Sequence, residues 1–152
     1  VRAGRIAGAA LTGAAVGAAV AGIWHAGLAA AATACQNAGN TFCLGILPAA
    51  EAIAGNMVLI IVSLLIGFGV LRIRPLRLTV AAGYILTVLL VWNVSTATGG
   101  PGKGPPAWAA AVAVGAGLAA LALSVDRGRF QKAGIVALGA IIVVSILLPH
   151  LV

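Results

Sequence analysis

Residues 52–97 read AIAGNMVLIIVSLLIGFGVLRIRPLRLTVAAGYILTVLLVWNVSTA. Two apolar runs, Ala52–Leu71 and Leu78–Ala97, flank the arginine-rich segment from Arg72 to Arg77. Each run has about twenty residues, the length a helix needs to cross a hydrocarbon core about 30 Å thick. Pro75 sits where a helix would otherwise continue, so the segment predicts a hairpin turn between two spans.

The same pattern extends in both directions. Ile6–Ala34 carries no formal charge and follows Arg2 and Arg5. Thr98-Gly-Gly-Pro-Gly-Lys-Gly-Pro-Pro106 is the strongest loop signal in the chain. Ala107–Val125 is a fourth run, Asp126-Arg-Gly-Arg-Phe-Gln-Lys132 a further gap, and Ala133 begins a fifth run that carries Pro149 and His150. The predicted spans are 6–30, 52–71, 78–97, 107–125 and 133–151, with an outer loop over 35–43. The expected fold is all-α, a polytopic bundle of five transmembrane helices forming one domain over 1–152.

Composition agrees. Hydrophobic residues make up 62% of the 152 residues and charged residues 7%, against about 25% charged in a soluble domain. So few charges cannot cover such an apolar surface in water, so lipid is the expected solvent. The net charge of +7 is confined to short loops, with no basic face or aromatic platform, which excludes a nucleic-acid partner. The basic residues read as topology signals and as contacts for anionic headgroups. The weight of Ala, Gly and Val suggests a GC-rich, bacterial genome.

Five spans put the N-terminus, the 72–77 turn and the 126–132 loop on one side. That side holds Arg2, Arg5, Arg72, Arg74, Arg77, Arg127, Arg129 and Lys132; the other holds Lys103. The bias predicts a cytoplasmic N-terminus and an outside C-terminus. Trp24, Trp92 and Trp108 fall at predicted outer ends, where indoles anchor at headgroups. The expected location is a bacterial cell membrane. Arg2, Arg5, the apolar run and Ala32-Thr33-Ala34 before Cys35 also resemble a signal peptide, but the run is about twice the length of its usual apolar core. An uncleaved first span is expected.

Cys35 and Cys43 share the outer loop, on the oxidising side, where disulfides persist. A bridge there is expected to contribute roughly 2–3 kcal/mol. Two cysteines without a histidine in the loop make neither a zinc site nor a redox relay. Gly4 and Gly8, and Gly13 and Gly17, have the four-residue spacing that lets helix backbones approach closely in lipid. They serve packing within the bundle or docking against another subunit.

His25, Glu51, Asn56, Asn93 and His150 are the polar residues expected near the outer face. Each has a structural explanation. A carboxylate at Glu51 suits the first turn of a helix, and His150 suits a last turn. Asn56 and Asn93 suit interhelical hydrogen bonds. The functional alternative brings His25, Glu51 and His150 into an outer vestibule able to hold a metal or a quinone or to relay a proton.

The Gly-rich 99–104 segment is not a phosphate loop, since its Lys precedes Gly and no strand leads into it. No catalytic constellation, selectivity-filter motif or mid-bilayer carboxylate is present, and no motif points to a named family. The expected function is therefore a non-enzymatic accessory or assembly subunit of a larger membrane complex. It would act with the lipid bilayer and with other membrane subunits or a second copy of itself. The alternatives are a small oligomeric transporter or channel, and a membrane metal- or quinone-binding protein or enzyme built on His25, Glu51 and His150.

Overall fold

The computed structural model describes residues 2–37, 46–99 and 105–151. Among them there is no strand. The elements in chain order are α1 (Arg2–Asn37), α2 (Ile46–Val70), α3 (Leu76–Val94), α4 (Ala107–Val125) and α5 (Gln131–Leu151), with a π-helical turn (Ser95–Gly99) extending α3. All five α-helices contain stretches long and apolar enough to cross a membrane.

Two boundaries differ from the sequence reading. α1 continues to Asn37 because Ala29–Ala34 offers strong helix formers and nothing to stop the helix. α2 starts at Ile46, with Pro48 inside its first turn, where a missing N–H costs nothing because first-turn N–H groups lack intrahelical acceptors. Glu51 therefore lies in the second turn of α2 and not in the first.

The α2–α3 hairpin turn ends α2 with a Schellman arrangement. The Arg72 N–H donates to the Gly69 carbonyl (3.1 Å) and the Ile73 N–H to the Phe68 carbonyl (3.0 Å). Arg72 takes the left-handed conformation, φ 54°, that glycine usually supplies at this position. Ile73 and Phe68 are both buried in the core, and this hydrophobic closure holds the turn in place.

Glycine sets the closest packing. A Cβ at Gly13 would lie 2.6 Å from the Val114 carbonyl oxygen, and one at Gly17 would collide with the Ala110 carbonyl. From the other side, a Cβ at Gly115 would stand 3.0 Å from the Ala10 oxygen. α1 and α4 therefore touch backbone to backbone. Gly134 does the same for α5 against Leu123 and Ser124 of α4. Elsewhere larger side chains fill the interior: Leu64 and Phe68 from α2, Leu90 from α3, and Val114 and Leu118 from α4. Gly83 of α3 gives room to Leu64, Phe68 and Leu118. α5 lies at the periphery, packing on α3, α4 and the π turn and touching neither α1 nor α2.

Candidate functional site

The bundle has two chemically different ends. At one, the N-terminal part of α1, the α2–α3 turn and the α4–α5 turn meet. Arg5, Arg72, Arg74 and Arg127 line a cavity of about 660 Å³ there, together with Asp126. Ile6, Ile73, Leu76, Ala122 and Val125 supply apolar surface in the same cavity. The arginines come from three chain segments far apart in sequence. Arg77, Arg129 and Lys132 belong to the same end of the bundle, are exposed and do not line the cavity.

The other end carries the tryptophans. Trp24 of α1, Asn56 and Met57 of α2, and Tyr84, Thr87 and Trp92 of α3 line a second, largely apolar cavity of about 130 Å³. Asn56 is 7% exposed. Its Oδ1 and the Trp24 Nε1 are buried without a hydrogen-bond partner. Buried polar groups are normally paired, because an unpaired one costs about 1–3 kcal/mol.

His25 lies close by in sequence but is used differently. Its Nε2 meets the carbonyl of Pro105 at 3.1 Å. A carbonyl only accepts, so Nε2 carries the proton and donates. The bond joins α1 to the segment that leads into α4, eighty positions away.

The other sequence candidates fall in separate places. Glu51 and His150 are exposed; His150 is in the last turn of α5, a helix that does not touch the helices of His25 and Glu51. Among the described residues no group of three His, Cys, Asp or Glu side chains is placed to hold a metal ion. The Asn93 Nδ2 donates to the Leu89 carbonyl of its own helix at 2.9 Å, not across to a neighbour. The Thr87 hydroxyl likewise donates to the Gly83 carbonyl at 2.7 Å. Cys35 lies near the end of α1, whereas Cys43, and with it the proposed pairing, falls outside the described residues. Gly8 packs against the Leu71 side chain, and Gly4 faces open space.

Sequence reading missed both cavities as sites. It treated the arginines as topology signals and general contacts for anionic headgroups, and Trp24 as an interfacial anchor. Two helices separate each of these segments from the next, which brings Arg5, the 72–74 segment and Arg127 to one end, but only packing decides which of them share a cavity.

No protein-family model matches the chain, and neither a curated protein nor a solved structure is significantly similar to it. The class is therefore defined by the fold itself. Five long apolar helices around a side-chain-filled core fit a multi-pass membrane protein.

Proposed function

We propose that this chain is a non-enzymatic accessory or assembly subunit of a larger complex in a cell membrane. Its arginine end faces the cytoplasm and its tryptophan end faces outward. The supporting observation is the outer face of α1. Gly4, Ala7, Leu11, Ala15, Gly22, Ala26, Ala29 and Thr33 are all exposed, and their three-, four- and seven-residue spacings align them along one side of the helix. The opposite face, with Gly13 and Gly17, is covered by α4. α2 and α5 instead expose large side chains such as Ile61, Ile66, Val136 and Val143. Lipid tails pack well against such side chains. A stripe of small residues broken only by Leu11 favours another helix, whose backbone can come close. The filled centre of the bundle gives a pore through a single chain no comparable support.

Purification in mild detergent with mass spectrometry of co-purifying proteins tests the reading, paired with a photo-crosslinker at Ala15 and the variants Ala15→Leu and Gly22→Leu. A stable partner should crosslink at Ala15 and be lost from both variants while the chain stays monodisperse. A wild-type chain that purifies alone, with no crosslink to another protein, would sink the proposal. The orientation also puts Cys35 and Cys43 on the oxidising side, which supports a disulfide between them. Thiol labelling of the unreduced, denatured protein should then modify neither cysteine.

A further inference from the structure

We propose that the cavity at the arginine end is a binding site for a phosphate-bearing membrane lipid whose headgroup carries two negative charges. The inference does not rest on the subunit reading. Four arginines, Arg5, Arg72, Arg74 and Arg127, line one cavity of about 660 Å³ whose lining includes a single carboxylate residue, Asp126. Like charges around one cavity repel one another, and a multiply charged anion relieves that repulsion. Guanidinium is also the side chain whose fork matches phosphate oxygens two at a time.

Two further features point to a lipid. The cavity is amphipathic: Ile6, Ile73, Leu76, Ala122 and Val125 line it together with the arginines. A free inorganic anion has no use for that apolar surface, whereas the glycerol and first methylenes of a lipid do. Basic pockets between helices at a membrane surface are suited to such headgroups. The site is also built in advance. Arg72 and Arg74 flank Ile73, which is buried in the core, and the Schellman hydrogen bonds fix the backbone between them. The backbone that carries the two arginines therefore does not have to order on binding.

The shared chemistry is a phosphate with two negative charges, available from a lipid or from solution. The test is titration of the detergent-purified chain with phosphatidic acid, phosphatidylglycerol and phosphatidylcholine of matched acyl chains, and with inorganic phosphate, with native mass spectrometry to count adducts. Phosphatidic acid should bind one per chain, more tightly than phosphatidylglycerol, and phosphatidylcholine least. The Arg72→Gln/Arg74→Gln variant should weaken it about thirtyfold, the worth of a basic residue beside an anionic surface applied twice. Arg5→Gln/Arg127→Gln repeats the test on different elements, so a folding defect in one pair does not decide it. Arg129→Gln/Lys132→Gln, at the same end but off the cavity, should bind like the unmodified chain. Displacement of phosphatidic acid by equal concentrations of inorganic phosphate would support the anion site and assign it to a solute. Equal loss in the Arg129→Gln/Lys132→Gln variant, or phosphatidylglycerol binding as tightly as phosphatidic acid, overturns the proposal.

Discussion

The contact of α1 with α4 and that of α2 with α3 solve the same problem in opposite ways. In lipid, helices gain little from burying apolar surface, so packing has to hold them together. α1 and α4 remove side chains and let backbones meet at Gly13, Gly17 and Gly115. α2 and α3 insert side chains, with Phe68 and Leu64 fitted against Gly83. Toward the tryptophan end the α2–α3 seam leaves the Asn56 cavity. One contact should therefore fail when atoms are added and the other when atoms are taken away.

The largest effect is expected from Phe68→Ala. It empties the centre of the bundle at a fully buried position and should cost about 3 kcal/mol; reversible unfolding in detergent measures it. Gly17→Ala adds one methyl where the Ala110 carbonyl already stands, and should cost about 2 kcal/mol as the helices are forced apart. Should it prove neutral, the backbone contact is not what holds α1 to α4. Asn56→Leu removes a buried, unpaired amide oxygen and should raise stability by about 1 kcal/mol. A fall in melting temperature would mean that Asn56 has a partner in the membrane and that the seam is not merely imperfect. The smallest effect is expected from Gly22→Ala, where a Cβ meets nothing within 4 Å. It should gain about 0.5 kcal/mol from helix propensity alone. The pair Gly17→Ala and Gly22→Ala thus separates the covered face of α1 from the open one with identical chemistry.

The five helices were legible because crossing a hydrocarbon core demands a length of apolar chain that is visible without any partner. The hairpin at Pro75 was legible for a local reason too, since proline lacks the N–H that would continue α2. Partner choice was not legible. Gly4 and Gly13 are nine positions apart, about two and a half turns, so the two glycine pairs of α1 lie on opposite faces with equal spacing. Only tertiary packing shows that Gly13 and Gly17 meet α4 while Gly4 faces outward. The polar candidates were grouped by depth along the helices, which says nothing of direction around them. Asn93 turned to its own helix, His25 reached the Pro105 carbonyl, and Asn56 entered a cavity with Trp24. No spacing in the sequence encodes a bond between positions 25 and 105.

The length of α1 has a mechanical meaning. Its 36 residues extend about 54 Å, whereas the 19 residues of α4 extend about 28 Å. The glycine contacts set the height at which the two helices are pinned, and the His25–Pro105 hydrogen bond marks where α4 gives out. From His25 to Asn37 the helix continues about 18 Å further, past the start of α4 at Ala107 and, at Gly27 and Leu28, still beside Ala52 and Ile53 of α2. α1 thus overtops α4 by a fixed length. In the proposed orientation, a shortened α1 that kept every packing contact would lower its own end toward the headgroups, and a partner that meets this protein above the membrane would find its landing point moved.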